Sequence, residues 1–428
     1  MSGHLGTFLA AWRAARLPLL ALGGIACAVL GLVVLSVPRA GSIEISPEMD
    51  LCGQINGLPP GGELVLPPGD YTGPCTIRQG GAPGAPIVIR GRDLVQRPRI
   101  VYGGRRSNVI DVRADHVTIR GLAFGPTERE VDGIRIFGRE GITVEDCEFS
   151  GVGGIAVVAN HFSNRGLVVR RNTVRDSDST AMYFGCHDGA GCAVTDFVIE
   201  ENHIQTVRAP DPEIGYGIQV KLNSRGIVRG NVVLDTKGPA IMFYGATDLG
   251  GRPSLVEGNV VVGSQRSSGI VVGGGPIVVR NNIALGNSMA GIAIEDYARR
   301  GLLRGVVAAH NTVYRNGVAG IMVPPAGLVD ATLINNAAQA KPGGTAFPEP
   351  QAGLRLMGNV DCAGLSCFVD GESQDFSPMP GGPLSTSAAV PVGPWVPTFD
   401  FFGAPRAMPP TVGAVEHVQG PLRLTPRP

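Results

Sequence analysis

The feature that most constrains this chain is an internal repeat of 23–30 residues. A short segment ending in an asparagine and an apolar pair, as in VRRNTV or VRGNVV, recurs at Asn172, Asn202, Asn231, Asn259, Asn282, Asn311 and Asn336. A second series, a small residue followed by an apolar residue, is centred on Ile134, Ile155, Met182, Ile218, Ile241, Ile270, Ile292 and Ile321. Two interleaved series with one period predict a solenoid, because each repeat buries its apolar face only against its neighbours.

Composition excludes most alternatives to this architecture. The chain has 63 Gly and 34 Pro among 428 residues, which disfavours helices, since these residues cost roughly 1 and 3 kcal/mol in a helix interior. A hydrophobic content of 43% and a net charge of zero exclude a disordered polyelectrolyte and give no support for nucleic-acid binding. The leucine-rich consensus is absent, and a propeller blade needs roughly 40 residues. We therefore predict an all-β solenoid with three short strands per coil and asparagine ladders in its turns.

This pattern resembles the right-handed parallel β-helix of the pectate-lyase-like superfamily. The segment INGLPPGGELVLPPGDYTG at 55–73 is also similar to the first coil of such proteins. The resemblance implies a right-handed parallel β-helix, which we place at 43–340, and we assign residues 1–42 before it to a signal anchor or signal peptide. The period stops after Asn336, so we expect the Pro/Gly-rich residues 341–428 to pack on or cap the helix.

The N-terminus carries a membrane signal. Residues 17–37 are an uncharged run of 21 residues, which at 1.5 Å per residue spans a hydrocarbon core of about 30 Å. Arg13 and Arg16 precede this run and predict a cytoplasmic N-terminus with the rest of the chain exported. A signal peptide is the alternative, but Pro38 and Ala40 make a poor cleavage site before Gly41. We favour an uncleaved anchor and a periplasmic or extracellular domain.

The cysteines agree with an oxidising compartment. Beyond Cys27, the sequence has seven cysteines, and six of them fall into the close pairs Cys52/Cys75, Cys186/Cys192 and Cys362/Cys367. We predict these three disulfides and a buried free thiol at Cys147, which lies in the segment VEDCEF. No Cys-x-x-Cys or His-x-His spacing indicates zinc.

One outward patch stands out for its chemistry. Because successive strand residues alternate faces and Ile218 and Val220 belong to the core series, Gln219 and Lys221 point outward. Aligning the repeats places Tyr244, Gly273 and then Glu295 after Lys221, and it places Tyr183 and Met242 on either side of Gln219. Coils stack about 4.8 Å apart, so these side chains form one surface.

Two insertions flank the coil that holds Lys221, one of only three lysines. The segment YFGCHDGAGC presents His187 and Asp188. The next stretch, RAPDPEIGYGIQVKLNS at 208–224, completes the longest gap in the repeat, in which 36 residues separate Met182 from Ile218. Extra residues in a solenoid become loops on one face, often the binding face. The coincidence favours a functional site here.

The segment YGIQVKLNSRGIVRGNVV resembles the part of alginate-lyase and chondroitinase-like β-helix enzymes that carries their catalytic lysine. The resemblance implies that Lys221 removes the proton beside a uronate carboxylate, assisted by an arginine one coil on and by calcium. At the calcium-ligand positions five and seven residues before the lysine, this chain has Tyr216 and Ile214. Met242 and Tyr244 stand near the arginine position. We therefore predict no cofactor and no metal site, and calcium is implied by the resemblance alone.

These considerations assign catalytic roles to Lys221, Tyr244 and His187. They assign substrate binding to Tyr183, Gln219, Asn223, Arg252 and Glu295. The predicted function is a lyase or epimerase acting on an acidic polysaccharide. Hydrolysis is less favoured, since it needs two carboxylates about 5–9 Å apart and nothing pairs Asp188, Glu213 and Glu295. A non-catalytic carbohydrate-binding or cell-surface scaffold protein is the main alternative, and a periplasmic factor that assembles a metal site is a third.

Overall fold

The chain winds as a right-handed parallel β-helix of about 12 turns, which confirms the predicted all-β solenoid. The structure, a computed structural model, describes residues 41–186, 191–211, 213–245, 252–296, 303–386 and 397–425. The predicted signal anchor at 17–37 lies outside these ranges and stays a prediction. Within them, no helix is both long and apolar enough to cross a membrane.

Successive turns of the chain build three parallel sheets. Sheet A comprises β1 (Ser42–Glu44), β2 (Glu63–Leu66), β5 (Ile87–Gly91), β8 (Val117–Arg120), β11 (Thr143–Glu145), β14 (Asn164–Arg165), β15 (Val168–Arg170), β18 (Val194–Glu200), β21 (Arg225–Arg229), β24 (Ser254–Glu257), β27 (Ile277–Arg280), β30 (Arg304–Ala309), β33 (Asp330–Ile334) and β35 (Leu354–Met357). Sheet B comprises β3 (Asp70–Thr72), β6 (Arg99–Val101), β9 (Ala123–Phe124), β12 (Glu148–Ser150), β16 (Thr173–Ser177), β19 (His203–Val207), β22 (Val232–Thr236), β25 (Val260–Val262), β28 (Ile283–Leu285), β31 (Thr312–Asn316), β34 (Ala337–Ala340) and β36 (Val360–Asp361). Sheet C comprises β4 (Cys75–Ile77), β7 (Ile110–Val112), β10 (Ile134–Ile136), β13 (Val157–Ala159), β17 (Met182–Phe184), β20 (Ile218–Val220), β23 (Ile241–Phe243), β26 (Ile270–Val272), β29 (Ala290–Ile294) and β32 (Ala319–Met322).

Two short helices and one hairpin complete the described structure. Helix α1 (Leu51–Asn56) buries Leu51 and Ile55 against the first turns and so closes the N-terminal end of the core. Strands β37 (Phe368–Asp370) and β38 (Asp375–Pro378) pair antiparallel, and α2 (Pro383–Thr386) follows. The parallel stacking continues past residue 340 through β35 and β36.

The core is a set of inward columns, one residue per turn. In sheet A one column runs through Ile119, Val144, Val169, Ile199, Val228 and Val256, every one of them buried. In sheet B, Phe124 and Phe149 stack with ring centroids 4.8 Å apart, the spacing of neighbouring coils. The central apolar residues of the second repeat series fill one continuous core as predicted, with one exception. Ile155 is partly exposed, and Val157, two residues later, takes its place in the column between Ile134 and Met182.

The repeated asparagines form a buried ladder at the corner between sheets A and B. Asn259 donates from its backbone N and its Nδ2 to Asn282 Oδ1, both at 2.9 Å. Its own Oδ1 accepts the matching pair from Asn231 at 3.0 and 2.9 Å, and its Nδ2 also reaches the carbonyl of Val228. The same bonding runs from Asn172 to Asn336 and then extends to Asn359, which the repeat analysis missed. These asparagines are structural.

The residue before each ladder asparagine has a positive φ. The residues at this position are Arg171, Glu201, Gly230, Gly258, Asn281, His310, Asn335 and Gly358, with φ between 50° and 63°. Glycine and asparagine adopt this left-handed conformation more readily than other residues. Three of these eight corners, at Gly230, Gly258 and Gly358, are formed by glycine.

Sheet A carries an alternating charge row on its outer face. Paired positions on successive strands are Arg120, Glu145, Arg170, Glu200, Arg229, Glu257 and Arg280. Three of the resulting ion pairs, Arg170–Glu145, Arg229–Glu200 and Arg280–Glu257, measure 2.6 Å. The carboxylates of these pairs are sheltered, with side-chain exposures of 8% for Glu145, 14% for Glu200 and 24% for Glu257. These ion pairs give this face a structural role.

The C-terminal residues cover the apolar part of the outer face of sheet B. Val412, Ala414 and Val415 pack in one buried cluster with Ile283 and Ala337. A buried ion pair fixes this cover, since Arg406 and Glu416 lie 3.0 Å apart with side chains 3% and 0% exposed. Arg406 also donates to Asn281, the residue before a ladder asparagine, at 2.7 Å. The cover therefore spans several turns of the helix.

All three predicted disulfides are present: Cys52–Cys75, Cys186–Cys192 and Cys362–Cys367. Cys147 is a buried free cysteine as predicted, and burial raises the pKa of its thiol to about 12. Three disulfides are typical of a protein that folds in an oxidising compartment.

Replacing Asn259 with alanine should lower the free energy of unfolding by about 3 kcal/mol, because two donors of Asn231 lose their buried acceptor. Denaturant titration measures the change. The matched control, Gln96→Ala, removes an exposed amide and should stay within about 0.5 kcal/mol of the native chain. Equal stability of the Asn259 variant and the control would contradict the structural role of the ladder.

Acid should weaken the C-terminal cover through His310, which is fully buried. Burial and the nearby Arg406 charge lower the pKa of His310 to about 3, against about 6.5 in an unfolded chain. The contribution of neutral His310 to the free energy of unfolding is therefore complete above the unfolded pKa. It is lost as the pH falls from about 6.5 to about 3, at up to about 1.4 kcal/mol per pH unit.

His310→Asn tests this, since asparagine occupies the equivalent position at Asn281 and Asn335. Unfolding titrations between pH 7 and pH 4 should show a shallower loss of stability in this variant than in the native chain. His417→Asn, an exposed histidine, is the control and should keep the native slope. Identical slopes in all three chains would exclude His310 as the titrating group.

Candidate functional site

The structure places the sequence-predicted patch on the outer face of sheet C, in the predicted register. Gln219 pairs with Tyr183 on one side and with Met242 on the other. One position further along, the backbone N–H of Lys221 and that of Tyr244 each bond to the preceding turn at 2.9 Å. Lys221 and Tyr244 are therefore neighbours across adjacent turns, as the repeat alignment predicts.

The Lys221 ammonium lies between two aromatic rings. Its Nζ is 5.2 Å from the ring centroid of Tyr244 and 5.9 Å from that of Tyr183. Gly273 makes room for Tyr244, since a Cβ there would stand 2.9 Å from the tyrosine Cδ1. On the other side, a Cβ at Gly185 would stand 2.9 Å from the Cβ of Lys221. Two glycines thus leave space for one lysine and one tyrosine.

The patch is not an open sheet surface. Tyr183 is 7% exposed, Gln219 4% and Tyr244 5%, although all three side chains point away from the core. Lys221 and Asn223 are partly exposed. Tyr183, Gln219 and Tyr244 are therefore sheltered, and Lys221 and Asn223 are the members of the patch that reach solvent in part.

An apolar cluster continues this face towards the C-terminal turns. Its buried members are Tyr216, Leu222, Met242, Tyr244, Val271, Ala290, Ala293 and Ala319. The polar groups of the patch thus lie at one end of an apolar outer surface. A low local dielectric strengthens electrostatic interactions with any ligand bound there.

The connections from sheet C to sheet A alternate in length around the site. Nine residues separate β17 from β18, ten separate β23 from β24 and nine separate β29 from β30, whereas four separate β20 from β21 and β26 from β27. Only the connection between β17 and β18 is evident from the sequence repeat. Predicted site residue His187, with Asp188, lies outside the described residues. Arg252 is exposed just before β24, and no described contact joins it to Lys221.

The second lysine of the chain has a structural role that the sequence did not reveal. Lys237 is 10% exposed at its side chain, and its Nζ donates to the carbonyls of Ala209, at 2.9 Å, and Glu213. It also pairs with Asp211 at 2.7 Å. Since these partners lie in the inserted segment before β20, Lys237 fixes that insertion to the neighbouring turn.

Glu295 lies in the same outward column as Lys221, beyond Tyr244 and Gly273. Burial raises the pKa of its carboxyl group. Lys221 and Glu295 are three turns apart, about 14 Å at the strand spacing. The two groups therefore cannot act on the same bond.

The residues at the calcium-ligand positions do not fit a calcium ion. Tyr216 is buried in the apolar cluster, and Ile214 is an exposed aliphatic side chain. The carboxylate of Glu213 accepts a hydrogen bond from Ser179 at 3.1 Å. Calcium needs six to eight oxygen ligands, and the described residues contain no group of three or more His, Cys, Asp or Glu side chains that could hold a metal.

A buried polar network on the N-terminal half of the same face was missed by the sequence analysis. Arg135 donates to Asp132 at 2.7 Å and to Asn160 at 3.1 Å. Asp111 precedes Arg135 in the column that contains Gln219, and burial raises the pKa of Asp132. The sequence signal for this network was a charged residue at the outward position of two strands, Asp111 in IDV and Arg135 in IRI.

The comparisons with known proteins concern the fold. The family model for a right handed beta helix region matches residues 132–316. No curated protein sequence matches the chain.

Similar solved structures include enzymes of different activities. A pectate lyase is 15% identical with TM-score 0.44, covering 88% of this chain and 96% of its own. The A-module of a mannuronan C-5 epimerase from Azotobacter vinelandii is 14% identical with TM-score 0.46, covering 72% and 92%. The catalytic unit of an alpha-1,3-glucanase from Streptomyces thermodiastaticus is 13% identical with TM-score 0.44, covering 75% and 69%. At these identities and TM-scores, the likeness says nothing about activity.

Lys237→Met should loosen the insertion without unfolding the helix. The methionine retains the packing of the stem but leaves the carbonyls of Ala209 and Glu213 without their donor, at a cost of about 2 kcal/mol. Hydrogen exchange of residues 208–217 should accelerate by about 30-fold. Lys341→Met, at an exposed lysine, is the control and should leave this exchange unchanged. Native protection of 208–217 in the Lys237 variant would contradict the fixing role.

Proposed function

We propose that this chain is an exported protein that acts on an acidic polysaccharide, as a lyase or an epimerase. The observation that carries the proposal is the Lys221 amine, partly exposed between the rings of Tyr183 and Tyr244 on a sheltered outer face. Aromatic rings suit the apolar faces of sugar rings, and a cation suits a uronate carboxylate. The residues before the described structure, 17–37, would hold the protein in the membrane.

The proposed chemistry begins with the proton on the carbon next to the uronate carboxylate. Lys221, in its neutral form, takes this proton. The electron pair of the C–H bond forms the C4–C5 double bond, and the bond from C4 to the glycosidic oxygen breaks. The Tyr244 hydroxyl gives a proton to the departing oxygen, so the charges balance. Return of a proton to the opposite face of C5 would instead give the epimer.

The remaining predicted residues would bind the substrate. Tyr183 lies against the lysine and offers a stacking face, and Asn223 offers an amide at the partly exposed edge of the patch. Gln219 lies beneath them, almost fully buried. His187 and Arg252 belong to the two long connections that flank the Lys221 turn, and we assign to them the neutralisation of the carboxylate.

Binding without catalysis is a second candidate function, and the same aromatic pair favours it. Two rings 5.2 and 5.9 Å from Nζ stabilise the charged ammonium. A protonated lysine binds a carboxylate but does not remove a proton. A carbohydrate-binding or cell-surface scaffold protein would then use Lys221 as an anion site.

Lys221→Arg separates the two functions, because arginine retains the charge but cannot act as a base at neutral pH. For a lyase, absorbance of unsaturated product should fall by about 10²- to 10⁴-fold in this variant while binding persists. Alginate, pectin and glycosaminoglycans form the substrate panel, and loss of the C5 proton to deuterated water detects epimerisation.

The control is Lys341→Arg, at an exposed lysine outside the patch, which should keep the native rate. A native rate in Lys221→Arg would exclude Lys221 as the base. Binding of an acidic polysaccharide with neither product nor proton exchange would favour the non-catalytic function. If the protein binds none of the polysaccharides in the panel, both the catalytic and the non-catalytic function are contradicted.

A further inference from the structure

A guanidinium stacked on an aromatic ring lies at the N-terminal end of the outer face of sheet C. The Cζ of Arg113 is 3.7 Å from the ring centroid of Phe137. The side chain is 47% exposed, and its ion pair with Asp111 is long, at 4.0 Å. Stacking holds the planar guanidinium by one face and leaves its edge suited to two parallel hydrogen bonds to a carboxylate.

An exposed aromatic ring lies next to this stack. Phe162 is 52% exposed, and its ring centroid is 6.3 Å from that of Phe137 at an interplanar angle of 43°. Gly138 permits this approach, because it has a φ of +63° and a Cβ there would stand 2.9 Å from the Cβ of Phe162. Phe162 therefore presents about half of its side chain to solvent next to the Arg113–Phe137 stack.

The stack is aligned with Lys221. Phe137 shares the outward column that runs through Asn160 and Gly185 to Lys221, three turns or about 14 Å away. Asn160 is buried and bonded to Arg135, and Gly185 has no side chain. The column between the two sites thus holds one buried side chain and one glycine. An extended polysaccharide bound at Lys221 can follow this column to Phe137 and Arg113.

We propose that Arg113, Phe137 and Phe162 form a second binding subsite, which takes a uronic acid unit of the polysaccharide several units away from the one at Lys221. The apolar face of the sugar lies on Phe162, and its carboxylate bonds to Arg113. The subsite rests on the proposed function in requiring an acidic polysaccharide, but it requires no catalysis. It also sets the direction of the bound chain, which runs along sheet C towards the N-terminal turns.

The test is the dependence of affinity on oligosaccharide length. Calorimetry would use oligomannuronate, oligoguluronate and oligogalacturonate of two to eight units, in a Tyr244→Phe background that keeps them intact. The variants are Phe162→Ala and Arg113→Gln. Matched controls are Phe399→Ala and Arg105→Gln, an exposed phenylalanine and an exposed arginine outside sheet C and its column.

The Tyr244→Phe protein without a further substitution should bind long oligomers more tightly than short ones. Each variant should lose about five-fold in affinity for long oligomers only, the value of an exposed aromatic or cation contact. The controls should lose nothing. Unchanged affinity for all lengths, or an equal loss for all lengths, would overturn the subsite while leaving the site at Lys221 intact. If neither the Tyr244→Phe protein nor the unsubstituted protein binds any oligomer, the proposed function is overturned as well.

Discussion

Hydrogen bonding between equivalent residues of successive turns is the constraint on which the rest of this structure depends. In the described parts of sheets A, B and C, strands pair with strands one turn before and one turn after, so their side chains become members of columns. The asparagine ladder applies the same rule to a corner, where the amide of Asn259 bonds to Asn231 on one side and to Asn282 on the other. A column of identical environments selects repeated residues, and this produces the period in the sequence.

That rule explains how far the sequence could predict the fold. Most of the inward columns, the ladder and the register follow from the repeat, apart from Ile155, whose column position belongs to Val157, and Asn359, which extends the ladder. The close cysteine pairs predicted all three disulfides. The repeat could not reveal the Arg406–Glu416 ion pair, because its partners lie in a segment without a period. The end of the repeat predicted that residues 341–428 pack on or cap the helix, but it did not indicate that they cover the apolar part of sheet B, since that packing depends on contacts between distant residues.

The candidate site shows the same division. Register placed Tyr183, Gln219, Lys221 and Tyr244 together, because alternation and stacking fix directions and spacings. Burial was not predictable, since it depends on how connections of nine or ten residues cover the sheet. Lys237 could not be distinguished from Lys221 by sequence, although it fixes an insertion and Lys221 faces a partly open edge. The scarcity of lysine thus pointed to one functional candidate and one structural residue.

The most direct test of this account is a crystal structure of the protein soaked with uronic acid oligosaccharides. The account predicts sugar density along the outer face of sheet C, with a carboxylate at Lys221 and a ring against Tyr183 or Tyr244. Well-ordered sugar on the charge row of sheet A or on the C-terminal cover, with sheet C empty, would contradict it.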